Sequence, residues 1–236
     1  MNRKAAIIVI LLLLSGYAWA EHASAPSITP EHALKMLKEG NTRFMEGRRT
    51  YTHQDMARLK ETAGQGQFPF AVILSCSDSR VPVEHIFDAG IGDIFVVRVA
   101  GNSCSPAQAE SLDYGAEHLK APLIVVLGHT KCGAVKATVD NTEHTGNEPE
   151  ILKRIEPAVN RVKEKGGDLK GQQFYDAVSV ENVWLVIEEI FKKSHLAREL
   201  TREGRLSVVG ALYDLDTGKV TFLGAHKDEK KLTEQK

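Results

Sequence analysis

Cysteine is scarce in this 236-residue chain, with only Cys76, Cys104 and Cys132. An exported domain that leaned on disulfides would carry an even set, and no Cys-x-x-Cys occurs. A disulfide framework and a thiol–disulfide oxidoreductase both fit poorly. Blocks of one charge are missing as well. The 30 Lys and Arg stand against 31 Asp and Glu, a formal net charge of −1, which leaves no electrostatic footprint for nucleic acid. Past the N-terminus no apolar run approaches the roughly 20 residues a membrane span needs. Internal repeats, low-complexity segments and interdomain linkers are absent too, and one domain is the reading.

What is present begins at the N-terminus. Arg3 and Lys4 precede an apolar run over residues 5–14, and Ala18-Trp19-Ala20 follows as a small-x-small cleavage site. That order predicts a secretory signal peptide over residues 1–20, cut after Ala20 to leave a soluble domain of residues 21–236. Losing Arg3 and Lys4 takes the formal net charge from −1 to −3. The expected address is the periplasm or the outside of the cell. There an odd number of thiols calls for another explanation, and a metal is the natural one. Residues 227–236 alternate basic and acidic and read as a solvated tail.

Short apolar runs rich in β-branched residues recur at 68–74, 94–99, 123–127 and 206–212, the pattern of buried parallel strands. Between them, helical spacing is expected over residues 105–118, 131–139, 148–165 and 172–202, after N-terminal helices from Pro30 and over 54–63. Turn chemistry at 213–218 joins a last strand around 219–223. Strands alternating with helices predict an α/β fold, one domain with a central, mostly parallel sheet flanked by helices.

Two segments carry the chemistry. Ser75-Cys76-Ser77-Asp78-Ser79-Arg80 follows one apolar run, and Gly128-His129-Thr130-Lys131-Cys132-Gly133 follows another. Both lie at strand ends, the edge where open α/β sheets place their sites. Neighbouring parallel strands would bring Cys76, His129 and Cys132 together. Two thiolates and an imidazole suit zinc, with a fourth position open. Cys132 is expected in the first turn of a helix, whose free N–H groups favour thiolate. Taken singly, each residue has a plainer reading: a packed cysteine, a core histidine, a loop ion pair.

C-S-D-S-R followed some fifty residues later by H-x-x-C-G resembles the signature of β-class carbonic anhydrases. Gly92-Asp93, Arg98-Val99-Ala100-Gly101-Asn102 and the closing V-V-G-A-L-Y-D-L-D-T-G fit the same resemblance. It implies one zinc per chain on Cys76, His129 and Cys132, with Asp78 and Arg80 as a catalytic dyad. It also implies a substrate pocket of Gln67, Phe95 and Tyr114, built partly from a neighbouring subunit, hence a homodimer or higher even oligomer. Members with a bicarbonate-gated state carry tryptophan where Gln67 stands, which implies the ungated, plant-like subtype. Val99 departs from the asparagine common after the arginine.

The implied reaction is reversible hydration of carbon dioxide to bicarbonate and a proton. Zinc lowers the pKa of bound water from about 16 to about 7 in the three-histidine enzyme. Two thiolates weaken that Lewis acidity, so help is expected from Asp78, held by Arg80 and orienting the zinc-bound hydroxide. His53, His85, His118 and His195 are available for the proton, but buffer is the expected acceptor. A hydrolase of carbon disulfide or carbonyl sulfide is the alternative on the same metal set. A closed structural zinc site lacks its fourth Cys or His. Cys104 reads as a packed free thiol.

Overall fold

The computed structural model describes residues 28–142 and 148–235, so the expected signal segment lies outside the described residues. In chain order they form α1 (Pro30–Met45), α2 (Met56–Gln65), β1 (Ala71–Ser75), α3 (Val83–Ile86) and β2 (Ile94–Arg98). After a 3-10 turn at Ala100–Asn102 come α4 (Pro106–Asp113), a π turn (Tyr114–His118), β3 (Leu123–His129) and α5 (Gly133–Val139). Then follow α6 (Glu148–Lys165), α7 (Gln172–Lys193), α8 (His195–Arg202), β4 (Ser207–Tyr213), β5 (Val220–Ala225) and α9 (Glu229–Thr233). No helix among the described residues is long and apolar enough to cross a membrane.

The five strands make one sheet in the order β2-β1-β3-β4-β5, parallel except for the antiparallel β4–β5 pair. β1 and β3 are buried at every residue, because helices cover both faces, and this is why they read as continuous apolar runs. Alternate side chains go to opposite faces. Ile73, Val125 and Val209 pack in a cluster with Leu37 of α1 and Phe87, whereas Val72, Leu74, Ile124 and Val126 pack with Val183, Ile187 and Phe191 of α7. Gly40 lets α1 dock closely: a Cβ there would lie 1.9 Å from the Phe87 carbonyl oxygen.

Local chemistry sets the helix ends. Thr29 caps α1 by accepting from the His32 N–H (3.2 Å), with Pro30 at the first position, and Asp55 caps α2 through the Arg58 N–H (2.8 Å). The apolar pattern over 172–202 predicts one helix, but there are two. Ser194 is extended (φ −104°, ψ 107°), caps α8 through the Ala197 N–H (2.8 Å) and bonds the Asp113 carboxylate. The expected helix over 105–118 ends as α4 and passes into the π turn. The C-terminal segment is less solvated than its charges suggest. α9 packs on α7 and α8, Thr233 is buried, and Leu232 joins the core.

Candidate metal centre

The register explains how two distant segments meet. β1 and β3 are hydrogen-bonded neighbours with Ser75 opposite Leu127, so Cys76 leaves the sheet beside the end of β3. His129 is the last residue of β3. The chain then turns through Lys131, in the left-handed region at φ +56°, to Cys132. Cys132 is the N-cap of α5 (φ −67°, ψ 122°) rather than a residue of its first turn. The difference arises because an N-cap stays extended while its carbonyl starts the helix.

The Cys76 Sγ, the Cys132 Sγ and a His129 ring nitrogen lie within 4.8 Å of one another. All three residues are buried, at 4 %, 2 % and 1 % exposure. His129 Nδ1 is 2.9 Å from the Thr130 carbonyl oxygen, which can only accept, so Nδ1 carries the proton and Nε2 keeps its lone pair. Nε2 is buried with no hydrogen-bond partner among the described residues. A buried acceptor without a partner is costly, and here it sits among two sulfur donors. Soft thiolates with an imidazole are a donor set for zinc. The residues fit the ion.

The proximity of Cys132 pulls the Cys76 thiol below its ordinary range against the opposing push of burial, with His129 helping. Cys132 is driven above the ordinary thiol range by the same proximity and by burial, while the N–H groups of Val135 and Ala134 pull the other way. The Gly101 N–H also donates to Cys76 Sγ (3.3 Å). Beneath lies an apolar bed of Val135, Ile155, Ala158, Val159 and Val178.

Asp78 and Arg80 form a two-point fork. Arg80 Nε and backbone N–H donate to Asp78 Oδ1 (each 2.9 Å), and Nη2 donates to Oδ2 (2.7 Å). Oδ2 faces the cluster, 3.9 Å from His129 Nε2. The Arg80 fork holds the Asp78 carboxyl down at about 2 despite partial burial. Arg80 Nη2 also donates to the Lys131 carbonyl (3.2 Å), tying the dyad to the His129–Cys132 turn. A third participant escaped sequence reasoning. Arg98, opposite Ser75 on β2, donates from Nε to the Cys76 carbonyl (3.1 Å) and from Nη2 to the Asp78 carbonyl (2.6 Å). Its sequence signals, a charge ending an apolar strand and a place in the Arg98-Val99-Ala100-Gly101-Asn102 stretch of the resemblance, gave it no role.

The expected substrate trio is not at this cluster within one chain. Phe95 pairs in register with Val72, four residues before Cys76, a separation of roughly 13 Å at about 3.3 Å per residue. Phe95 and Tyr114 do meet, with ring centroids 6.0 Å apart. Tyr114 and Gln67 line one groove of about 690 Å³ with Leu59, Phe68 and His118. Tyr114 starts the π turn and stacks on His118 (4.7 Å). Leu59, Phe68 and Tyr114 are exposed apolar residues there, beside the open edge of β2.

Among the other candidate proton carriers, His53 bonds Asp93 (2.7 Å), His85 bonds Arg49 (2.7 Å), and His195 lies 3.7 Å from Glu199. Cys104 is 3 % exposed, and burial pushes its thiol up to about 11, which suits a packed, unreactive thiol.

Comparison with known proteins places this geometry. Residues 71–220 match the family model described as carbonic anhydrase. Carbonic anhydrase 2 of Mycobacterium tuberculosis is 38% identical over 201 residues, 84% of this chain and 94% of that protein. Among solved structures, the β-carbonic anhydrase CafA of Aspergillus fumigatus superposes with a TM-score of 0.68 at 25% identity, covering 86% of this chain and 94% of that one. One of the tetrameric β-carbonic anhydrases of Sordaria macrospora gives 0.65 at 27% identity, covering 71% and 86%.

Proposed function

The chain belongs to the β-class carbonic anhydrase family, and we propose from that premise how its own residues divide the work. The protein is a zinc enzyme that interconverts carbon dioxide and bicarbonate. The observation that carries this is the meeting of Cys76, His129 and Cys132 within 4.8 Å, with His129 Nε2 buried and unpartnered among the described residues. These three residues would hold the ion. When bound, zinc supplies the Lewis acidity that brings a water's ionisation towards neutral pH.

The remaining steps belong to side chains. Asp78, kept ionised by Arg80, presents Oδ2 as an acceptor on the cluster side. It takes a hydrogen bond from the reacting water and aims its lone pair at the substrate carbon. Arg80 holds that carboxylate in its fork, which would keep it off the ion held by the three donors, and Arg98 fixes the backbone from which Cys76 and Asp78 project. The proton leaves to buffer.

The pocket of Gln67, Phe95 and Tyr114 belongs, in this reading, to the metal centre of a second copy. Support comes from the open β2 edge and the exposed Leu59, Phe68 and Tyr114, and an even oligomer follows. Gln67 supports the ungated, plant-like subtype. The order of residues 1–20 supports export with cleavage after Ala20. N-terminal sequencing that found Met1 on the native soluble protein would remove that part. Hydrolysis of carbon disulfide or carbonyl sulfide has no observation in its favour. The test is stopped-flow carbon dioxide hydration beside metal analysis. A protein holding one zinc per chain that does not accelerate hydration would refute the assignment.

A further inference from the structure

We propose that Asn182, on α7 and 81 residues from the turn it touches, is a positioning residue for the metal centre, acting through Gly101 on Cys76. The inference deepens the zinc reading above and rests on it.

The chain of contacts is short. Asn182 Nδ2 donates to the Gly101 carbonyl oxygen at 2.9 Å, and the Gly101 N–H donates to Cys76 Sγ at 3.3 Å. Asn182 is 1 % exposed on a helix where Val178, Val183 and Val186 are buried and apolar and Ser179 and Glu181 are buried and polar. An amide in such surroundings costs stability unless bonded. Its Oδ1 has no hydrogen-bond partner among the described residues, so the bond to Gly101 is the one that accounts for its presence. Core packing alone would be met by an apolar side chain of similar size.

Gly101 explains why a hold is needed. It sits at φ +64° and ψ 23°, and a glycine populates either sign of φ with little preference. The direction of its N–H therefore depends on the contacts around it. The Asn102 N–H to the Val99 carbonyl (3.0 Å) closes the turn locally, and Asn182 holds the Gly101 carbonyl from a distant helix. A side chain at 101 is opposed on two counts: the positive φ, and a Cβ that would lie 2.6 Å from Ile155 Cδ1. So the turn favours glycine, and a contact outside it helps to set its conformation. An N–H donated to a thiolate stabilises the charged form and draws density from sulfur, which orients the ligand and tunes the ion it binds.

Asn182→Asp keeps the shape but presents an acceptor to the Gly101 carbonyl, and Asn182→Ala removes the amide. Ile187→Ala, at a fully buried position of the same helix, serves as the destabilised control. Zinc affinity is read by competition with a chromophoric chelator, and the sulfur-to-metal charge-transfer band is read on the cobalt-substituted protein. Both Asn182 variants should lose on the order of 10- to 100-fold in zinc affinity and move the band to lower energy. Ile187→Ala should lower the melting temperature and leave both readouts alone. Folded Asn182 variants with parental affinity and band overturn the inference, as does an equal response in Ile187→Ala. If neither Asn182 variant folds, the native protein loaded with spin-active cadmium decides. Scalar coupling from the metal to the Gly101 amide proton, with Asn182 side-chain exchange slowed on loading, supports it; absence of either overturns it. A parent that takes up no zinc removes the metal reading and this inference together. A zinc-loaded parent whose Asn182 variants match it removes this inference alone.

Discussion

Replacing Asp78 with Asn separates catalysis from metal binding. The substitution keeps size and backbone but removes the charge that receives the Arg80 fork at 2.7 and 2.9 Å. Oδ2, the oxygen on the cluster side, either becomes an amide that donates or stays an acceptor without charge. A hydrogen bond to a charged group contributes about 1.5–3 kcal/mol, and each 1.4 kcal/mol of transition-state stabilisation is about tenfold in rate. Hydration should fall roughly 10- to 100-fold. Zinc should stay, because Cys76, His129 and Cys132 are untouched and Arg98 still pins the backbone carbonyls of residues 76 and 78. The assay is stopped-flow hydration with an indicator across pH, with zinc measured on the same samples. Arg80→Ala should also lose rate but recover in part at high pH, where hydroxide competes with the freed carboxylate for the metal. Parental hydration by a zinc-loaded Asp78→Asn variant at every pH would refute the dyad.

Cys76→Ser, His129→Ala and Cys132→Ser should each lose most of their zinc by atomic absorption, whereas Cys104→Ser should keep metal and activity; full zinc in any of the first three strikes that residue from the ligand set. Asp88 offers a pH test away from the site. Burial alone would raise its carboxyl, yet Arg43 Nε (2.7 Å), the Thr50 N–H and hydroxyl and the Tyr51 N–H together hold it at about 2. A depressed carboxyl stabilises the fold above its unfolded value near 3.9, and that contribution is lost as pH falls towards 2. Asp88→Asn should cost about 2 kcal/mol at neutral pH, and urea titrations of parent and variant should converge between about pH 4 and 2; a gap that persists at low pH counts against the linkage. Gly40→Ala should destabilise by about 3 kcal/mol in the same titration, since backbone, not a flexible side chain, occupies the space. A variant as stable as the parent would mean α1 shifts freely on its neighbours.

The covered strands could be read from the residues alone, because burial on both faces leaves a continuous apolar run. The candidate metal donors were legible too: Cys76, His129 and Cys132 stand out together, by residue type and by standing directly after those runs. Asp78 and Arg80 were legible for a local reason, since a fork between residues two apart needs only a turn. The remaining features depended on how distant segments pack. Strand register, a matter of which apolar runs pair, set Ser75 opposite Leu127 and so brought the donors within reach. Whether residues 172–202 run as one helix or two turned on Ser194, whose capping bond and its partner Asp113 lie in different parts of the chain. Gln67, Phe95 and Tyr114 share spacing with a pocket, but strand register puts Phe95 opposite Val72, four residues before Cys76, where it packs on the α7 side of the sheet. Asn182 carries no local signature, and the charge of Arg98 at a strand end does not say what it holds. Their roles come from backbone carbonyls that reach them through folding, and a carbonyl is the one acceptor every residue shares.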